Sequence, residues 1–266
     1  MIFADYHTHT TYCDGKNTPR EMIEEAIRRG MPAIGFSAHA YTHFDESYCM
    51  KKEDMARYVA ELTELKAEYR ERIRVYIGFE VDAFADTPDL FYDYLIRSAH
   101  YVKKDGRYYD VDLSLDAAKK TIAEVFSNDA DAYAEAYFEA LATSGCENPK
   151  IIGHFDLVTK YNEIEPIVNT ASPRYIAAWQ KAADALLRTG AYFEINTGAV
   201  SRGYRKTPYP SGEILTYLKD RGAKFVLSGD AHRKENLAFH FEEAARYANS
   251  FGIFEFCQDI VENSQK

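Results

Sequence analysis

Nine ionisable side chains in this sequence of 266 residues lie at the ends of short apolar runs or just beyond them, a pattern that suits metal-ion chemistry. They are His7, His9, Asp14, His39, Glu80, His100, His154, Asp230 and His232. A parallel α/β barrel brings the carboxyl ends of its strands to one rim, so residues distant in sequence meet there. So many carboxylates and imidazoles are costly to bury together unless cations lie between them. The pattern therefore predicts a metal centre.

The spacing within two pairs supports a metal centre. His7 and His9 are two residues apart, as are Asp230 and His232, and the two-residue period of a strand points both members of a pair to one face. Imidazole and carboxylate donors suit zinc, manganese or iron, and no thiolate joins the set. A single histidine at a strand end is more often structural, but the complete set favours ligation. Outside the pattern, His43 is a candidate contact for substrate.

The strands that must position these side chains are predicted from near-continuous apolar runs, which are typical of parallel strands covered on both faces. The predicted strands are Ile2–Tyr6, Ala33–Ser37, Val75–Phe79, Tyr94–Ser98, Ile151–Gly153, Tyr192–Ile195 and Phe225–Leu227. Helical patterns separate most of them, so we predict a parallel α/β fold. We expect a single domain over residues 1–266, with a helical insertion at about 101–146.

The helices are predicted from apolar residues at three- and four-residue intervals and from capping signals. The first begins at a capping box, Thr18-Pro19-Arg20-Glu21, and should end at Gly30. Further predicted helices are Lys52–Arg72, Leu115–Val125, Ala130–Leu141, Arg174–Leu187, Gly212–Arg221 and Leu237–Ala248. The alternation of these helices with the strands is the reason for expecting a barrel.

Composition and charge narrow the classes of function. The chain has 32 lysine and arginine residues against 42 aspartate and glutamate residues, a net charge of −10 that disfavours nucleic acid or an anionic membrane as a partner. No apolar run is long enough to span a bilayer. The four cysteines are scattered and we identify no signal peptide, so a cytoplasmic protein is expected. The sequence leaves the choice between monomer and homo-oligomer open.

The ordered set of motifs resembles the PHP (polymerase and histidinol phosphatase) superfamily. The matching motifs are Asp5-Tyr6-His7-Thr8-His9, Gly35-Phe36-Ser37-Ala38-His39, Gly78-Phe79-Glu80, Ser98-Ala99-His100, Gly153-His154 and Ser228-Gly229-Asp230-Ala231-His232. The match covers nearly the whole chain, and the chain length resembles that of the stand-alone histidinol-phosphate phosphatases. The resemblance implies a distorted seven-stranded, TIM-like (β/α)7 barrel with a trinuclear metal site.

The resemblance also implies how three divalent ions, zinc, manganese or iron, would be bound. One ion would be held by His7, His9, Glu80 and Asp230, a second by Glu80, His100 and His154, and a third by Asp14, His39 and His232. Asp14, Asp230 and His232 are the predicted catalytic residues. A hydroxide that bridges two cations would attack phosphorus in line, without a covalent intermediate.

A phosphate monoester also needs a cationic contact, which an acidic protein must supply locally. Arg202, in the loop after the sixth predicted strand, is the first candidate, and Lys160 is the second; Arg233 is a weaker option. The resemblance implies that the reaction is hydrolysis of L-histidinol phosphate to L-histidinol and phosphate in histidine biosynthesis. The alternatives are another small phosphomonoester, a nucleotide phosphodiester, a metal-dependent exonuclease and a non-catalytic metal-binding protein.

Overall fold

A computed structural model describes residues 3–261 of the chain. Its strands are β1 (Ala33–Phe36), β2 (Arg74–Asp82), β3 (Tyr94–Ser98), β4 (Tyr101–Lys104), β5 (Arg107–Asp110), β6 (Ile151–Ile152), β7 (Tyr192–Asn196) and β8 (Lys224–Ser228). Its α-helices are α1 (Pro19–Arg28), α2 (Met55–Tyr69), α3 (Leu115–Glu124), α4 (Ala130–Thr143), α5 (Pro173–Leu187), α6 (Gly198–Ser201), α7 (Gly212–Asp220) and α8 (Phe241–Asn249). Short 3₁₀ helices span Lys52–Asp54, Leu157–Thr159 and Lys234–Asn236.

Six of the strands form one parallel sheet in the order β1-β2-β3-β6-β7-β8. Nearly every residue of these strands is buried, as the continuous apolar runs predict for strands covered on both faces. Helices cover the outer face, with α2 against β2 and α8 against β7 and β8. The predicted parallel α/β fold is therefore confirmed.

The N-terminal segment lies between β1 and the chain that follows β8, but it is not a regular strand. Parallel bridges join Asp5 to Ile34 and Thr8 to Ala231. Because each bridge is isolated, the segment lacks the repeated pairing that defines a strand. The described part of the chain thus contains six strands in this sheet where the sequence predicts seven. The start of the predicted strand Ile2–Tyr6 lies outside the described residues.

The first helix begins as the sequence predicts. The amide N–H of Glu21 donates to the hydroxyl of Thr18 at 3.3 Å, and the amide N–H of Thr18 donates to the Glu21 carboxylate at 2.8 Å. These two bonds are the predicted capping box. After the helix ends at Arg28, Gly30 adopts a φ of +70°, a conformation that glycine reaches without the steric cost of a side chain.

The last helix starts later than predicted, at Phe241 instead of Leu237. Ala238 and His240 have φ values of 48° and 52°, which lie outside the right-handed helical region. The amide N–H of Ala238 donates to the buried carboxylate of Asp5 at 2.9 Å, which fixes this loop before the helix begins. Among the described residues, the helices are too short or too polar to cross a bilayer.

A β-hairpin opens the segment that the sequence predicts to be a helical insertion. β4 pairs with β5 in an antiparallel ladder, and the turn is formed by Asp105 and Gly106 with φ values of 49° and 77°. An Asp-Gly pair between strand-forming residues is itself a hairpin signal, so this element could have been predicted. α4 packs against β4. The hairpin brings Tyr101 and Asp110 next to the carboxyl end of β3.

Candidate metal centre

The fold brings the nine predicted ligands together at one end of the parallel sheet. Five of them follow a strand by at most four residues: His39, His100, His154, Asp230 and His232. Three others come from the N-terminal segment and the turn after it: His7, His9 and Asp14. Glu80 differs, because it lies inside β2 and not after it. β2 runs past its predicted end at Phe79 because residues 80–82 pair with residues 96–98 of β3.

Glu80 occupies the centre of the cluster and is 1% exposed. Five imidazole rings place a nitrogen within 3.5 Å of its carboxylate: His7, His9 and His39 on Oε2, and His100 and His154 on Oε1. The two oxygens therefore face different sets of nitrogen atoms. A carboxylate in this position is suited to bridge two cations.

Asp230 adds a second carboxylate beside the N-terminal histidines. Its Oδ1 atom lies 3.4 Å from Nε2 of His9 and 3.8 Å from Nε2 of His7. Asp230 has a φ of 49°, a left-handed conformation that is uncommon outside glycine but is tolerated by aspartate. Such conformations concentrate at functional sites, where the surrounding structure enforces them.

Asp14 forms a third group at the edge of the cluster. Its Oδ2 atom lies 3.1 Å from Nε2 of His232, and its Oδ1 atom lies 3.8 Å from a ring nitrogen of both His9 and His39. The ring of His9 stacks on that of His232 with centroids 4.0 Å apart. Protonated imidazole rings this close would repel one another, which favours a neutral ring with a free lone pair on His9.

The protonation equilibria of the buried groups suit metal binding. Burial and the neighbouring imidazoles lower the pKa of His9 to about 3, so its ring is neutral. Burial lowers the pKa of His7, but the surrounding carboxylates, Glu194 first, raise it well above its ordinary value. Burial alone would raise the pKa of Glu80, but the surrounding imidazoles lower it more strongly. The net pKa of Glu80 therefore lies well below its ordinary range. Ligands bind metal ions as neutral imidazole and ionised carboxylate, so a cation would displace the proton on His7.

Several buried polar atoms in the cluster have no hydrogen-bond partner among residues 3–261. They include Nε2 of His7, Nε2 of His9, Oδ1 of Asp14 and Oε2 of Glu80. Such atoms are rare in folded proteins, because each unpaired group costs about 1–3 kcal/mol. Atoms with free lone pairs that converge in this way fit the binding of cations. Nitrogen and oxygen donors without thiolate match zinc, manganese or iron.

Glu194, in the middle of β7, supports His7 from behind, a role that the sequence pattern did not reveal. Its Oε1 atom lies 2.6 Å from Nδ1 of His7, and its Oε2 atom accepts hydrogen bonds from the amide N–H of His154 at 3.0 Å and from the side chain of Asn196 at 2.9 Å. A carboxylate on one ring nitrogen fixes the tautomer and leaves the other nitrogen for a metal ion. The sequence feature that could have indicated this role is the charged residue Glu194 between the apolar residues Phe193 and Ile195 of β7.

Arg202 contacts the cluster through Asp230. Its Nη2 atom donates to Oδ2 of Asp230 at 2.8 Å, and its Nη1 atom donates to the carbonyl oxygen of the same residue at 3.2 Å. α6, the short helix before it, starts at Gly198. A Cβ atom at Gly198 would lie 2.5 Å from Oδ2 of Asp230 and 2.9 Å from Nη2 of Arg202. Only glycine at this position leaves room for the ion pair.

A cavity of about 550 Å³ opens above the cluster, a size that suits a small ligand. Arg202 and Lys160, the two cations favoured from the sequence, both line it. Lys160 is already engaged, because its Nζ atom donates to the carboxylate of Asp112 at 2.9 Å. His43 is not among the described lining residues; it is exposed, and its ring packs against Phe44 with centroids 5.2 Å apart.

The wall of the cavity next to the β4–β5 hairpin is acidic, which the sequence pattern did not indicate. Asp110 and Asp112 line this wall, together with Asp45 from the loop after β1. The hydroxyl of Tyr101 donates to Asp45 at 2.7 Å. Burial, followed by the negative charge of Asp112, raises the pKa of Asp110 to about 7. A positively charged group beside Asp110 would favour its ionised form.

The fold and the cluster together define an α/β protein with a candidate metal centre at the carboxyl ends of its strands. Comparison with known families gives a match to the PHP domain over residues 5–198. The chain therefore belongs to the PHP domain family.

Individual relatives cover nearly the full chain. The histidinol-phosphatase of Bacillus subtilis (strain 168) is 29% identical over 264 residues, which is 91% of this chain and 98% of the relative. A crystal structure of histidinol phosphate phosphatase from Lactococcus lactis subsp. lactis, complexed with zinc, L-histidinol and phosphate, matches with a TM-score of 0.72 at 21% identity and covers 96% of both chains. A crystal structure from Listeria monocytogenes matches with a TM-score of 0.75 at 19% identity, over 90% of this chain and 99% of that one. The two structures show that the fold is shared.

Substitution of Glu194 by glutamine tests the support of His7. Glu194→Gln keeps the size of the side chain but removes the charge that orients the ring, so we expect zinc affinity to fall by about 10- to 100-fold. Titration of the metal-free protein against a competing chelator measures this change, and circular dichroism checks the fold. Glu124→Gln, on the exposed surface of α3, is the control and should bind zinc like the wild type. Equal affinity in Glu194→Gln would contradict the assigned role.

Proposed function

We propose that the protein is a metal-dependent phosphatase that hydrolyses L-histidinol phosphate to L-histidinol and inorganic phosphate in histidine biosynthesis. The observation that carries the proposal is the ligand cluster around Glu80, which opens into a cavity lined by Arg202. The Bacillus subtilis relative that aligns over nearly the whole chain is named histidinol-phosphatase. The structural neighbour from Lactococcus lactis contains zinc, L-histidinol and phosphate.

The nine side chains are proposed to hold three divalent ions. The first set is His7, His9, Glu80 and Asp230, the second is Glu80, His100 and His154, and the third is Asp14, His39 and His232. Each set contains a pair of ligand atoms within 3.4 Å of one another, and His39 of the third set also lies 3.0 Å from Glu80, so the sets adjoin. Bound cations would acidify water and neutralise charge on the phosphoryl oxygens. Zinc, manganese and iron all accept these donors, so availability would decide which ion is used.

Asp14, Asp230 and His232 are the proposed catalytic residues. All three line the cavity, as do His39, His100 and His154, whereas His7 and Glu80 are absent from its described lining. They therefore border the position at which a phosphoryl group would meet the cluster. Their carboxylates and imidazole would hold the reacting groups in line, and the buried residues beneath them would fix that geometry.

Arg202 is the proposed contact for the phosphoryl group. Its guanidinium is fixed against Asp230 by two hydrogen bonds, and its side chain remains 29% exposed in the cavity. A planar guanidinium can donate to two phosphoryl oxygens at once. Lys160 is proposed as a weaker contact, because its side chain is 8% exposed and is paired with Asp112. His43 is proposed to contact substrate groups that reach beyond the cavity.

The architecture and the cellular compartment are part of the same proposal. The bridges from the N-terminal segment to both of its neighbours support a closed barrel in which this segment is the seventh member. Residues 1–266 would form one domain, with residues from about 101 to 146 as an insertion. All four cysteines have free thiols, which supports a reducing compartment such as the cytoplasm.

Release of phosphate from L-histidinol phosphate tests the proposed function. The protein is stripped of metal, reconstituted with zinc, manganese or iron, and assayed beside other phosphomonoesters, nucleotides and an oligonucleotide. We expect turnover that depends on metal and is efficient only with L-histidinol phosphate. Efficient turnover of another compound alone would refute the substrate, and turnover by the stripped protein would refute the metal mechanism.

Replacement of Arg202 tests the phosphoryl contact. Arg202→Ala should lower kcat/KM for L-histidinol phosphate by about 10- to 100-fold, because a hydrogen bond to a charged group contributes about 1.5–3 kcal/mol. Steady-state kinetics with metal-loaded protein measure the change. Arg233→Ala removes an exposed arginine from the lining of the same cavity and should have a much smaller effect. An unchanged kcat/KM in Arg202→Ala would refute the proposed contact between Arg202 and the phosphoryl group.

A further inference from the structure

We propose that Asp110 binds the ammonium group of the substrate and so makes the site selective for phosphorylated amino alcohols over phosphate esters that lack an amine. The inference rests on the proposed function, since it concerns the same cavity. It assigns a specificity-determining role to a residue of the hairpin that no part of the metal centre requires.

The backbone holds Asp110 in one orientation. Its Oδ1 atom accepts hydrogen bonds from the amide N–H groups of Asp112 and Leu113, both at 2.6 Å. Its Oδ2 atom accepts no hydrogen bond from residues 3–261, and no lysine or arginine in that range forms an ion pair with it. Asp110 lines the cavity, so this oxygen remains for a ligand. The carboxylate is oriented before a ligand arrives, which lowers the entropic cost of binding.

The other carboxylates on this wall already have partners. Asp112 forms an ion pair with Lys160 at 2.9 Å. Asp45 accepts the hydroxyl of Tyr101 on one oxygen and the amide N–H of Ser47 on the other, at 2.7 and 2.9 Å. Among the described carboxylates on this wall, Asp110 is therefore the one that has an oxygen without a hydrogen-bond partner and no ion pair with lysine or arginine. A cationic ligand would supply its counter-charge.

The position of Asp110 suits the spacing of charges in L-histidinol phosphate. In this molecule the carbon that bears the amine is bonded to the carbon that bears the phosphate ester, so the ammonium and phosphoryl groups are close neighbours. Asp110 pairs with Tyr101 across the hairpin, and the amide N–H of Val111 donates to the carbonyl oxygen of His100 at 2.9 Å. Asp110 thus lies close to His100, a proposed metal ligand. An ammonium group bound by Asp110 would therefore be close to a phosphoryl group at the metal centre.

The charges around the cavity agree with a substrate that carries both signs. Arg202 supplies positive charge beside the cluster, and Asp110 on the hairpin wall supplies negative charge once an ammonium group lies beside it and favours its ionised form. A phosphate ester without an amine would leave Asp110 partly desolvated and without a counter-charge. The cavity would therefore discriminate against such esters as well as favour the amine.

The test compares two substrates in three proteins. The substrates are L-histidinol phosphate and 3-(imidazol-4-yl)propyl phosphate, which lacks only the amine. The proteins are the wild type, Asp110→Asn, and the control Asp105→Asn, which removes the same charge from the exposed turn of the same hairpin. In Asp110→Asn, kcat/KM for L-histidinol phosphate should fall by about 10- to 100-fold, and the value for the analogue should not change. Asp105→Asn should behave like the wild type with both substrates.

Calorimetric binding of L-histidinol provides a second readout that does not require turnover. With metal content measured for each protein, Asp110→Asn should bind L-histidinol at least about tenfold more weakly than Asp105→Asn does. Inorganic phosphate should bind all three proteins alike.

Several outcomes would overturn the inference. Equal losses with both substrates would mean that Asp110 acts on the reaction centre and not on the amine, and no loss with either would mean that it does not contact substrate. A wild type that uses both substrates equally well would leave the proposed phosphatase activity intact but refute selectivity for the amine. A wild type that hydrolyses neither substrate would refute the proposed function, and the inference with it.

Discussion

The carboxylate of Glu80 sets the central constraint on this structure. It is 1% exposed and has five imidazole nitrogens within 3.5 Å. An ionised carboxylate in the interior costs several kcal/mol unless opposite charge is close by. Five protonated rings would repel one another, and five neutral rings would leave the carboxylate without a counter-ion. Cations between the rings and the carboxylates satisfy both requirements, because they bind neutral imidazoles and supply positive charge.

A second layer of hydrogen bonds holds the candidate ligands in place around Glu80. Asp5 accepts hydrogen bonds from the amide N–H groups of His7, Gly229 and Ala238 at 3.2, 3.0 and 2.9 Å. It thereby joins the N-terminal segment to the loop that carries Asp230. Glu194 orients His7 in the same way from β7. Two sets of buried carboxylates therefore serve different purposes. Glu80 and Asp230 lie in the cluster, whereas Asp5 and Glu194 lie behind it and position its residues.

The sequence predicted the cluster of nine ionisable side chains and the parallel sheet because both depend on local patterns. A strand that ends in a histidine can be recognised from its own residues, and the capping box of α1 needs only Thr18 and Glu21. The contact between His7 and Glu194 joins residues that are 187 positions apart, and no local pattern shows which buried carboxylate supports which ring. The acidic wall depends on a distant contact too, because the hydroxyl of Tyr101 in the hairpin donates to Asp45, 56 positions earlier in the chain.

The central claim, that the cluster around Glu80 holds metal ions, is tested most directly by anomalous X-ray diffraction from crystals of zinc-loaded protein at wavelengths on either side of the zinc edge. We expect anomalous peaks inside the cluster, about 2.0–2.2 Å from the carboxylate of Glu80 and from Nε2 of His7 and His9. Crystals that hold zinc elsewhere, or none, with the nine side chains in the same arrangement would contradict the claim.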